Sequence, residues 1–120
     1  MANPNIVNVS DIRGKIKVVK LTTTNSTALI SNASSSNKVL KVNFIRATNI
    51  DGINSADITI TLDDDGTSGR LASTIAVPAD STLTIIGKDD SFYLEEGDSL
   101  TAITSSANDL DVICSYEEIS

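Results

Sequence analysis

A chain of 120 residues with a formal net charge of −7 fits one acidic domain. Its nine basic residues read as scattered, without a phosphate-binding cluster or a cationic membrane face, so neither nucleic acid nor membrane is an expected partner. Cys114 is alone, which rules out an intrachain disulfide, and the absence of histidine removes Ser-His-Asp, Cys-His and histidine–zinc chemistry.

Val, Ile, Leu and Ala supply most of the 40% apolar residues, with two Phe, two Tyr and no Trp. Thr and Ser are abundant. β-branched side chains lose little by being held on a pleated surface, so this mixture favours sheet over helix. Met1 to Asn5 lacks the basic and apolar regions of a signal peptide, and no run approaches the ~20 apolar residues of a membrane helix. The expected setting is a cytoplasm, or a particle assembled in one.

In chain order, Ile6 to Val9 reads as a short strand after Pro4, and Asp11-Ile12-Arg13-Gly14 as a turn. Lys15 to Thr23 reads as a strand with a bulge. Ala28 to Ser31 is a short strand before the polar loop Asn32 to Asn37. Lys38 to Ile50 is the longest β segment. Leu40, Val42 and Phe44 alternate there, then Ile45 and Ala47 break the register, which predicts a bulge or a crossing between sheets.

Ile58, Ile60 and Leu62 alternate with polar residues and predict a strand buried on one face. Asp63 to Gly69 is a loop or hairpin tip. Leu71, Ser73, Ile75 and Val77 predict the next strand, stopped by Pro78. Thr82 to Gly87, Phe92 to Leu94, Leu100 to Ile103 and Leu110 to Tyr116 complete the series, with polar turns between them. Short strands at this spacing, with no room for crossover helices, predict an all-β fold: an antiparallel β-sandwich, jelly-roll or Ig-like, of about eight strands. Residues 10–120 form its single domain, and residues 1–9 an extended N-terminal arm or short strand.

Little chemistry is left to such a chain. The adjacent carboxylates Asp63-Asp64-Asp65, Asp89-Asp90, Glu95-Glu96 and Glu117-Glu118 fall in turns or at the chain end. A glycosidase pair would need one carboxyl desolvated in an aromatic cleft, for which the aromatics are too few. Asp63-Asp64-Asp65-Gly66 lacks the alternate acids and late Glu of an EF-hand, so at most a loose cation site is expected at this tip. Three Asn-x-Ser/Thr triplets, beginning at Asn8, Asn25 and Asn32, are read as accidents of composition. Cys114 sits at an apolar position of an alternating run and is expected to be a buried thiol. Phe92 and Tyr93 are the main candidates for a sugar-binding surface, against the plainer reading of core side chains. The chain is expected to be no enzyme and to use no cofactor.

Three segments carry a resemblance. The opening Met1-Ala2-Asn3-Pro4-Asn5-Ile6-Val7-Asn8-Val9 resembles that of small virion proteins of tailed phages, especially phages of marine cyanobacteria. So do Val77-Pro78-Ala79-Asp80-Ser81-Thr82-Leu83 with the following Tyr93-Leu94-Glu95-Glu96-Gly97-Asp98-Ser99-Leu100, and the ending Val112 to Ser120. The resemblance implies a sandwich protein present in many copies in a virion, as a capsid decoration (cement) protein. Its implied partners are the major capsid protein, or tail proteins, and copies of itself in a trimer. A tail, neck or fibre location, or a carbohydrate-binding module contacting the host, is the alternative. The N-terminal residues Asn3, Pro4, Asn5, Ile6 and Val7 are the expected partner contacts, because an extended arm can add a strand to a neighbour's sheet.

Overall fold

A computed structural model describes residues 7–120. Nine strands account for most of them: β1 (Ile12–Lys20), β2 (Thr27–Ser31), β3 (Val39–Asn49), β4 (Ala56–Asp64), β5 (Thr67–Val77), β6 (Thr82–Ile86), β7 (Phe92–Leu94), β8 (Ser99–Thr104) and β9 (Leu110–Ile119). One 3-10 turn, Lys88–Asp90, separates β6 from β7, and the described residues contain no α-helix.

The strands form two antiparallel sheets. One has the order β1-β9-β3-β6, with β7 pairing β3 beside β6; the other has the order β2-β8-β4-β5. First pairs with last, second with next to last, third with β6 and β7, and β4 with β5. A long antiparallel ribbon rolled up on itself gives this order, which is the jelly roll. Of the two sandwiches expected from sequence, the connectivity selects this one over the Ig-like arrangement.

The core lies between the sheets. Val42, Ile45 and Ala47 of β3, with Val112 and Cys114 of β9, face Ile58 and Ile60 of β4 and Leu100 and Ala102 of β8; all are fully buried. These side chains alternate along their strands, as the period of two requires for an inner face. The break at Phe44 is a bulge: the β3–β9 register shifts between Val42 and Phe44, and β3 remains in one sheet. The bulge turns Ile45 inward (fully buried) while Phe44 stays half-buried.

Between β4 and β5 the chain reverses on two residues, Asp65 and Gly66, with φ of 47° and 105°. Left-handed backbone at both positions matches the twist of a hairpin, and Asp-Gly supplies it at least cost. Asp63 Oδ1 accepts the Gly66 N–H at 2.8 Å and fixes the turn.

Three expectations need correction. Asp11 to Gly14 is not a turn: β1 begins at Ile12 and pairs β9 through Arg13↔Glu118 and Gly14↔Glu117. The long β9 needs a partner there, and this outweighs the turn preference of Gly14. Of the candidate strand Ile6 to Val9, Ile6 lies outside the described residues, and Val7 and Asn8 form turn and bend. Finally, the even alternation expected over Leu71 to Val77 is interrupted. Two register shifts against β4 bracket Ile60, and Thr74 sits at φ 51°. Ala72 is therefore buried while Ile75 is 41% exposed.

Candidate functional site

The four sheet edges differ in how they are finished. An edge strand presents unpaired N–H and C=O groups, and proteins usually interrupt them. β2 is five residues long and its register shifts between Ala28 and Ile30. β5 carries the two shifts described above. The β6/β7 edge is broken by the 3-10 turn, and β6 has its own shift against β3. Among the described residues β1 alone is regular: all nine of its residues pair with β9 without a shift, and its outer side is one continuous ladder edge.

Both faces of β1 are open. Ile12, Ile16 and Val18 point to the outer face of their sheet and are 60%, 67% and 59% exposed. Val18 lies beside Ile113 and Arg46, and Ile16 beside Ser115 and Phe44. The Arg46 guanidinium sits 4.6 Å from the centre of the Phe44 ring, so a cation–π contact joins the ends of these two rows. On the opposite face Arg13, Lys15 and Lys17 follow at every second position, in rows with Glu118, Tyr116 and Cys114. Only Val19 of this face is tucked against the core.

Four of the nine basic residues (Arg13, Lys15, Lys17 and Lys20) thus lie in β1, which has no acidic residue. The basic residues that read as scattered in the sequence are gathered on one edge. Lys15 and Lys38 reach Glu118 at 3.7 and 3.0 Å, and Arg13 reaches Asp11 at 3.5 Å. The Lys38 ammonium, through its hydrogen bond, holds the Glu118 carboxyl below its ordinary value. Lys17 and Lys20 form no ion pair among the described residues.

Sequence reading missed this edge because Gly14 and Arg13 read as turn. The signal was present: apolar residues at Ile12, Ile16 and Val18 interleaved with cations at Arg13, Lys15 and Lys17.

The residues expected to contact a partner are placed only in part. Asn3, Pro4, Asn5 and Ile6 lie outside the described residues, and Val7 is 91% exposed. Phe92 and Tyr93 do not form a joint surface. Phe92 pairs Val42 and packs on the core, whereas Tyr93 faces outward beside Lys41, 46% exposed. Cys114 is fully buried, and burial pushes its thiol up to about 11, with Lys17 opposing. A thiol so placed is inert at neutral pH.

The acidic tip is divided between strand and turn, Asp63 and Asp64 belonging to β4. Among the described residues no three Asp, Glu, Cys or His side chains are grouped to hold a metal ion. Nearby, Asp98 is buried. Its Oδ2 accepts the Glu95 N–H at 2.8 Å, while its buried Oδ1 has no hydrogen-bond partner. Burial raises the Asp98 carboxyl above its ordinary value; the Glu95 amide opposes this, and the Asp64 carboxylate adds to it. The protonated form therefore favours the fold below the ordinary carboxyl value, and that stabilisation is lost as pH rises through the raised one. Asp98→Asn keeps an acceptor for Glu95 and removes the charge. It is expected to raise the urea midpoint at pH ~7 and to leave it almost unchanged at pH ~3.

No family model and no curated protein matches this chain. Among solved structures it is similar to a protein of Bacillus endospore appendages, described as a novel family of disulfide-linked pili. Identity is 15%, the TM-score is 0.52, and the match covers 91% of this chain and 88% of that one. A pentameric capsid protein from metagenomic phage sequences, solved twice, aligns at 17% identity with a TM-score of 0.39. That match covers 88% of this chain and 61% or 60% of the capsid protein, so this chain spans about three-fifths of its length. At 15% identity the likeness to the endospore appendage protein is one of fold.

Proposed function

We propose that this chain is a non-catalytic structural subunit of a phage particle, a capsid decoration protein that works through the edge of its β1 sheet. The observation that carries the reading is β1 itself. Among the described residues it is the one regular, uninterrupted edge of the sandwich, exposed on both faces, with Ile12, Ile16 and Val18 open to solvent. Its inward cations guard it against like edges, so a long regular edge of this kind suits a partner of complementary charge. The resemblance of the opening, middle and closing segments to small phage virion proteins supports the particle.

The endospore and capsid proteins of similar fold are described as pili and as a pentamer, which fits a subunit that acts in many copies. The disulfide linkage named for the pili has no counterpart at Cys114, which is buried. The sugar-binding alternative is weaker, since the Phe92 ring packs inward. The N-terminal residues Asn3 to Val7 remain part of the proposal, as an arm reaching a neighbouring subunit.

Quantitative mass spectrometry of purified virions tests the reading. The chain is expected in many copies per particle and on the outside of the shell, released by protease or mild denaturant before the shell opens. Its absence from purified particles would overturn the proposal.

A further inference from the structure

We infer that β1 accepts a strand from a different protein, one that carries carboxylates at alternate positions and apolar side chains between them. The inference rests on the assembly reading above and names the partner's chemistry.

Self-pairing comes first, because it is the simplest use of a free edge. A two-fold axis between two β1 strands stands perpendicular to the sheet and keeps each face on its own side. Residues opposite one another then share parity, and directly opposed side chains interact. Arg13, Lys15 and Lys17 would oppose their own copies, which is destabilising. Cations pointing inward on an edge strand are also a recognised protection against pairing with like edges.

The other edges of a second copy do no better. β2, β5, β6 and β7 contain no Asp or Glu, so none of them offers a carboxylate to β1. An isolated acidic side chain on a loop would neutralise one cation but leave the backbone edge unpaired. What satisfies both is an extended segment. Its backbone continues the sheet beside β1. Its carboxylates fall on the face of Arg13, Lys15 and Lys17, and its apolar side chains on the face of Ile12, Ile16 and Val18. Lys17, which has no ion pair among the described residues, is the cation with most to gain. This is strand addition, in which main-chain bonds supply affinity and alternate side chains supply specificity.

The test uses the full chain and a nine-residue peptide alternating glutamate with valine, read by fluorescence anisotropy and by amide shifts. The peptide is expected to bind and to shift β1 and β9 resonances. The double variant Lys15→Glu, Lys17→Glu is expected to weaken binding at least ~10-fold, and a peptide alternating lysine with valine to bind that variant in preference. Both substitutions lie on an exposed strand, and the charge-swapped peptide reports on a variant that must be folded to bind it.

Equal binding of both peptides by either protein would overturn the inference. So would retained binding by a glutamate peptide whose backbone amides are methylated, or equally tight binding of an oligonucleotide of the same charge, since either makes the edge a point-charge attractor. A chain present in virions that ignores the peptide loses this inference alone. A chain that binds the peptide and is missing from virions loses only the particle reading.

Discussion

Asn49→Ala is expected to cost about 3 kcal/mol of stability, a large share of the total for a domain of this size. Asn49 ends β3 and is 1% exposed. Its Nδ2 donates to the carbonyls of Asn54 and Val77, each at 2.9 Å, and its Oδ1 accepts the Asp51 N–H at 2.9 Å. Val77 closes β5 in the opposite sheet, so this one amide ties the two sheets and the β3–β4 connection together. Truncation removes all three of these hydrogen bonds from a buried corner, and the Val77 carbonyl keeps only its ladder pairing with Ala56. Asn49→Asp, nearly the same in size, also loses the donor and places a charge beside two carbonyls. It is expected to be at least as damaging as alanine. A denaturant melt of the three proteins checks both; equal stability of Asn49→Asp and the parent would show that shape and not donation holds this corner.

Ile60→Ala is expected to be the most costly truncation in the core, at about 4 kcal/mol. Ile60 is fully buried in the middle of β4. Its neighbours across the sheet are Ala102 of β8 and Ala72 of β5. Ile60 is the single large side chain of that row, and its loss would leave three alanines abreast. Neighbouring methyl groups cannot close such a gap, and the cost of a truncation rises with the cavity that remains. Ile60→Val removes one methyl and is expected to cost about 1 kcal/mol, so the two variants together separate cavity from surface loss.

Both sites show what could and could not be read from the sequence. The inner faces were legible because apolar residues recur at every second position, Ile58 and Ile60 in β4 and Leu110, Val112 and Cys114 in β9. The bulge at Phe44 was legible too, as a break in that alternation. Asn49 was not. It reads as part of a turn, and its role depends on Val77, far along the chain and in the other sheet. Asn32 behaves alike at another loop. In a tract that reads only as a polar loop, its Nδ2 donates to the carbonyls of Lys38 and Leu94 at 2.8 and 3.0 Å.

β1 failed for a related reason. Glycine and arginine after aspartate favour a turn locally, and only the length of β9 makes Ile12 to Gly14 a strand. Local preference loses where a long central strand leaves pairing groups to be satisfied. The candidate interaction edge therefore came out of the strand pairing, while the partner contacts expected from sequence rest on the N-terminal residues. The two are separate contacts: residues 3–7 carry no carboxylate, so the arm is proposed to reach a neighbour elsewhere while β1 takes an acidic strand from another protein.

β1 is the edge through which this subunit is proposed to join a larger particle. Amide hydrogen exchange, measured by mass spectrometry on the free protein and on the assembled particle, tests it most directly. Assembly is expected to slow exchange across residues 12–20 by at least ~10-fold, with β2, β5 and the β6/β7 edge changed little. Unchanged exchange in β1, with new protection at one of the other edges, would contradict the claim.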